Sequence, residues 1–109
     1  MQHKFGKEWK NDMTGYIYKV TNNFDDMVYI GQTKAKYLCK RKAQHKYDAI
    51  NFRKGAGCAF HEAIRQHGIE AFTFEVYEVV EVQELDAHEA MAIELHKEHA
   101  YNVKEVAVH

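Results

Sequence analysis

Two short runs, Gly15-Tyr16-Ile17-Tyr18-Lys19-Val20 and Met27-Val28-Tyr29-Ile30-Gly31, flank the segment Thr21-Asn22-Asn23-Phe24-Asp25-Asp26. The runs are rich in aromatic and β-branched residues, which favour strands, and the Asn/Asp-rich segment between them favours a turn. Together they read as a β-hairpin. Pairing Val20 with Met27 sets Tyr18 directly opposite Tyr29 on one face and leaves Ile17 and Ile30 on the other. A one-residue slip would destroy this sorting of polar rings from aliphatic side chains.

The rest of the chain supplies helices to cover the hairpin. From about Lys34 to Ile50, residues Leu38, Arg41, His45 and Ala49 recur at helical spacing and share one stripe. Gly55 and Gly57 mark a loop. Cys58 to His67 reads as a second helix with Phe60, Ala63 and Ile64 inward, and Gly68 as its stop. Phe72 to Val80 alternates as a third strand. Glu84 to about His99 is a last helix, with Leu85, Ala92 and Leu95 on its apolar stripe, and Tyr101-Asn102-Val103 begins a tail suited to an edge strand. The order ββααβα implies an α+β domain, a small three-stranded antiparallel sheet flanked by helices.

With 109 residues, 46% of them hydrophobic, the chain has material for one core. The expected boundaries are a tail or short element over 1–13, a domain over 14–103 and a tail over 104–109. No run approaches the roughly 20 apolar residues of a membrane span, and no apolar stretch follows the first basic residues as in a secretory signal. Cys39 and Cys58 form no CxxC pair, so reduced thiols in a cytoplasmic protein are expected.

A net charge of −1 conceals two unlike parts. Residues 1–70 hold 13 Lys/Arg against 7 Asp/Glu, and residues 71–109 hold 2 against 9. Lys34, Lys36, Lys40, Arg41, Lys42 and Lys46 follow one another with no acidic residue between them. That stretch reads either as a solvated helix face or as a surface turned toward phosphates.

The pieces form a pattern in order. Tyr16-Ile17-Tyr18 is followed by Tyr29-Ile30-Gly31, then by Arg41 and His45 one turn apart, Gln66-His67-Gly68 before the third strand, Glu89 in the last helix and Tyr101-Asn102 after it. This resembles the GIY-YIG nuclease family over residues 14 to 102, with Gly15 one place earlier than the family name has it. The resemblance is to a stand-alone, homing-type catalytic domain of the sort found in phages and mobile introns.

The resemblance implies a metal-dependent endonuclease that hydrolyses DNA phosphodiester bonds. Glu89 is then the single protein ligand of Mg²⁺, with Mn²⁺ as a substitute, since such an ion tolerates one carboxylate plus waters and phosphate oxygens. Tyr18 is the general base or positions the attacking water, and Tyr29 holds the phosphate or water from the opposite strand. Arg41 neutralises charge in the transition state, His45 accepts a proton from Tyr18, and Asn102 braces the site. Lys34, Lys36, Lys40, Lys42 and Lys46 are the expected DNA contacts. Target specificity is expected to be low, or supplied by a homodimer or a separate DNA-recognition partner, with no membrane involved.

Elementary chemistry fits these roles. A phenol of pKa near ~10 needs an acceptor such as a histidine of pKa ~6.5, and gains from nearby cations that favour phenolate. Arginine suits phosphate through its planar fork. Among the other histidines, His61-Glu62 and His88-Glu89 begin like HExxH but have Arg65 and Ala92 at the fifth position. His96 and His99 lie one turn apart without a cysteine or carboxylate partner at matching spacing, so surface histidines are expected, and Cys39 reads as a buried or neutral thiol. The competing readings are a non-catalytic nucleic-acid-binding domain that keeps the nuclease fold, and a protein-interaction domain using the acidic second half.

Overall fold

The computed structural model describes residues 13–51 and 58–104; the Gly55/Gly57 loop and nearly all of the two expected tails lie outside them. Its elements are β1 (Thr14–Asn22), β2 (Val28–Thr33), α1 (Leu38–Ile50), α2 (Ala59–His67), β3 (Phe72–Glu81), α3 (Leu85–Leu95) and a last helical turn, α4 (Tyr101–Lys104). The strands form one antiparallel sheet in the order β2-β1-β3, the α+β arrangement expected from the sequence.

The hairpin register differs from the expected one by two residues. Val20 pairs with Tyr29, and Tyr18 pairs with Gly31 rather than with Tyr29. The cause lies at the turn. Asn22 stays in β1, its backbone N–H bonding to the carbonyl of Met27 at 2.8 Å, and its buried side chain donates to the Tyr101 hydroxyl at 2.9 Å. Asn22 Oδ1 also accepts from the N–H of Phe24, and Asp26 completes the reversal in a left-handed conformation with φ 65. Because side chains alternate with period two, a two-residue offset keeps each on its face. Tyr18 and Tyr29 remain neighbours, diagonally, with ring centroids 6.3 Å apart.

The sheet has a core on each side. On one, Tyr18, Val20 and Phe72 pack against Ala49 of α1, Phe60, Ala63 and Ile64 of α2, and Tyr101. On the other, Ile17, Ile30 and Val80 pack against Leu85 and Ala92 of α3. Each large aliphatic side chain so buried contributes about 1.5–3 kcal/mol. β3 serves both cores through a bulge: Ile17 pairs with Glu78 but Tyr18 with Val76, leaving Tyr77 over, so Phe72 and Phe74 face one side and Val80 the other.

Several local expectations are corrected. α1 begins at Leu38, not Lys34, and α3 ends at Leu95. Leu95 is 73% exposed, because it falls about 80° round the helix axis from Leu85 and beyond the strip the sheet covers. Among the described residues the tail makes no edge strand; Ala100 forms an isolated parallel bridge to Val28, and the chain then coils into α4. Cys39 is exposed rather than buried. His61 is buried, not a surface histidine, while His45 is buried on the inward stripe as expected. Gly68 does end α2, with φ 85 and its N–H on the Ile64 carbonyl at 2.8 Å.

Candidate active site

Gly31 makes room for the centre of the site. A Cβ at this position would lie 2.5 Å from both the ring carbon Cζ and the hydroxyl oxygen of Tyr18. The phenol of Tyr18, paired across from it, therefore lies flat over the β2 backbone. Its other neighbours are Phe74, stacked at 6.3 Å, and α1, which crosses above.

Arg41 and His45, one turn apart on α1, both reach the Tyr18 hydroxyl. His45 Nε2 is 2.7 Å from it, Arg41 Nε donates to it at 3.3 Å, and a second Arg41 nitrogen lies 3.3 Å from His45 Nε2. Guanidinium has only donors. His45 Nε2 is thus an acceptor, and its proton sits on Nδ1. That fixes the direction of the next bond, because Nδ1 lies 3.0 Å from Nε2 of His61 on α2 and donates to it. The chain runs from Tyr18 O–H to His45 Nε2, and from His45 Nδ1–H to His61 Nε2.

Burial governs the proton affinities. It raises the Tyr18 hydroxyl above the usual phenol value, with Arg41 pulling the other way and Glu89 adding to the rise. The cation at Arg41 favours phenolate, as expected from the residue types, but burial outweighs it at rest. His45 is lowered to about 3 by burial, then by Arg41 and by His61, so it is neutral at physiological pH. Tyr29 is also raised, by burial first and then by the negative charge that Tyr18 and Glu89 can carry. Its ring stacks on Phe60 at 4.3 Å and meets His45 edge-on at 5.4 Å.

Glu89 arrives from the opposite face of the sheet. α3 packs under Ile17 and Ile30, and Glu89 reaches the β2 side, where Gln32 donates to its Oε1 at 2.7 Å. The same amide donates to Asp86 at 2.8 Å. Glu89 is half-buried, no lysine or arginine pairs with it among the described residues, and both phenols feel its charge. Hard oxygen donors with spare capacity suit Mg²⁺, which takes one or two carboxylates and fills its other positions with water or phosphate oxygens. Among the described residues no three His, Cys, Asp or Glu side chains converge into a cage of protein ligands.

The remaining expected residues are placed less uniformly. The side-chain amide of Asn102 accepts from Ile30 N–H at 2.9 Å and donates to Ile30 O at 2.8 Å, fixing the strand between Tyr29 and Gly31. Lys34, Lys36 and Lys40 are exposed near the start of α1, and Lys42 lies over the Phe74 ring at 5.8 Å. Lys46 stands apart, lining a separate cavity of about 490 Å³ with Ile50, Ile64 and Arg65. Reading the residues one motif at a time missed His61 and Gln32. His61 follows Phe60 and precedes Ile64 by three, so its place on the inward stripe of α2 was the available signal.

The fold is shared with the catalytic domain of the intron endonuclease I-TevI, solved as a glutamate-to-alanine mutant: TM-score 0.66, 24% identity, covering 85% of this chain and 96% of that one. No family model matches the chain. It is 41% identical over 75 residues, 68% of its length, to protein 146R of Invertebrate iridescent virus 6, which is named for an MSV199 domain. It is 40% identical over 68 residues, 62% of its length, to the uncharacterised protein 019R of the same virus. These stretches amount to 29% and 23% of the two viral proteins, so the chain spans less than a third of the curated relatives it matches.

Proposed function

We propose that the chain is a GIY-YIG-type, metal-dependent endonuclease that hydrolyses DNA phosphodiester bonds. The observation that carries this reading is the convergence of Tyr18, Arg41 and neutral His45 on one hydroxyl, with Glu89 electrostatically coupled to the same phenol. A structural tyrosine needs one partner for its O–H. Here an arginine donor and a neutral imidazole acceptor crowd the same oxygen.

Arg41 uses two N–H groups on Tyr18 and His45, which leaves three of its five donors for phosphate oxygens. The arriving phosphate offsets the guanidinium charge beside His45, which is the second cause of its low proton affinity after burial, and so raises that affinity in part. The Tyr18 proton then passes to His45 Nε2, with the imidazolium held through Nδ1–H by His61, and the Tyr18 oxygen takes a proton from the attacking water. Tyr29, stacked on Phe60, walls the other side and presents its hydroxyl to the water or phosphate. Glu89, with Asp86 beside it, would hold Mg²⁺ or Mn²⁺. That ion, when bound, neutralises charge on the phosphate and stabilises the leaving oxygen.

Supercoiled plasmid is the test. The protein should relax it with Mg²⁺ or Mn²⁺ and stop on addition of chelator. Tyr18→Phe and Arg41→Ala should each slow nicking by about 10²-fold or more, and Glu89→Gln should abolish it while DNA binding persists. Equal nicking by all four proteins removes the site assignment. DNA binding with every substrate left intact favours the non-catalytic nucleic-acid-binding domain.

A further inference from the structure

Beside the phenol cluster, on the other side of Phe74, an open groove of about 750 Å³ runs between the start of α1 and β3. Tyr16 and Val76 line it along the sheet, Phe74 borders it next to the site, and Tyr37, Lys36 and Lys42 form its α1 side. Tyr16 is buried and its hydroxyl donates to the backbone carbonyl of Lys36 at 3.0 Å, which fixes that wall to the sheet. Tyr37 is 56% exposed. Both lysines already sit over rings, Lys36 over Tyr37 at 5.6 Å and Lys42 over Phe74 at 5.8 Å. The acidic residue on the rim, Glu75, is paired with Lys19 at 3.7 Å.

We infer that this groove receives an unpaired nucleobase next to the scissile phosphate, so that the substrate is DNA with a single-stranded or locally unstacked segment at the cut. The inference rests on the nuclease reading and deepens it. Aromatic side chains interleaved with cations are how proteins hold single strands, the rings stacking on base faces and the lysines meeting the phosphates. In an intact duplex those base faces are covered by their neighbours, so a ring at Tyr37 gains nothing from it. The position agrees as well. Phe74 is shared, stacking on Tyr18 from one side and bordering the groove, while Arg41 and Lys42 are adjacent on α1. A chain whose phosphate meets Arg41 brings its neighbouring base to the groove.

The test measures binding in chelator, where nothing is cut. Fluorescence anisotropy with the full chain compares a labelled 12-nucleotide dT strand, the same backbone with abasic residues, and a blunt duplex, all at one low salt concentration. The dT strand should bind about tenfold tighter than the abasic strand, the size expected of a stacked base, and tighter than the duplex. Tyr37→Ala should bring dT down to the abasic level, and Tyr37→Phe, which keeps the ring, should not. Equal affinity for dT and abasic strands overturns the inference, as does tighter binding of the duplex. Loss of nicking on every substrate with the dT preference intact counts against the nuclease chemistry and leaves the groove assignment standing. Efficient nicking of intact duplex without any dT preference does the reverse.

Discussion

Acid should destabilise this protein through His45 in a way that can be isolated from its other titrations. In the unfolded chain His45 takes up a proton near its ordinary pKa of 6.5, whereas in the folded protein burial, Arg41 and His61 hold it down to about 3. Between those values the unfolded state binds a proton that the folded state refuses, so stability rises with pH and falls as the solution is acidified. Each unit in that window is worth ~1.4 kcal/mol. Going from pH 7 to pH 4 crosses about 2.5 units of it, which amounts to a loss of about 3 kcal/mol. Against a typical total of ~5–15 kcal/mol this is a large fraction.

Carboxylates and other histidines also titrate there, so the measurement is a difference. Urea unfolding of the wild type and of His45→Gln, which has no proton to gain, should show the wild-type advantage shrinking by about 3 kcal/mol between pH 7 and pH 4. A nitrogen-15 NMR titration of the native wild type should show the His45 ring still neutral, with its proton on Nδ1, at pH 4. A flat stability difference together with a ring that charges near pH 6.5 refutes the reasoning, and with it the fixed proton direction from Tyr18 to His45.

Two further outcomes follow from packing. Gly31→Ala puts a Cβ 2.5 Å from the Tyr18 hydroxyl; calorimetry should register destabilisation of about 1–3 kcal/mol, and plasmid nicking should fall with it because the phenol must move. Asn102→Ala leaves the N–H and C=O of Ile30 without their partner; the same measurement should show a loss of about 1–3 kcal/mol, and Asn102→Asp, which keeps an acceptor but no donor, should recover only part of it.

What the sequence disclosed and what it withheld divide along physical lines. The sorting of Tyr18 and Tyr29 from Ile17 and Ile30 was legible, because strand alternation has a period of two and survives an offset of two. The register was not, because the turn is set by Asn22 bonding to Tyr101, 79 residues away in the chain. Arg41 and His45 could be placed on one helical stripe, but their meeting with His61 depends on how α1 and α2 dock. Glu89 was identifiable by family resemblance alone; nothing local says that it reaches β2 from beneath the sheet. Leu95 and Cys39 were misread for a shared reason, since a helix sequence gives the direction of a side chain and not whether anything covers it. The fall in the proton affinity of His45 is likewise a property of its enclosure.

The bond pair between Asn102 and Ile30 has an effect beyond the site. β2 is one of the two edge strands, and alternation turns the backbone groups of Val28, Ile30 and Gln32 away from β1. Left bare, such a row is a template on which a second chain can extend the sheet. Asn102 occupies both groups of Ile30, and Ala100 bridges Val28. One asparagine thus acts as a one-residue imitation of a fourth strand. It ends the ladder beside the very residues that must stay open to a phosphate, and two copies of this protein cannot join sheets there without first displacing it.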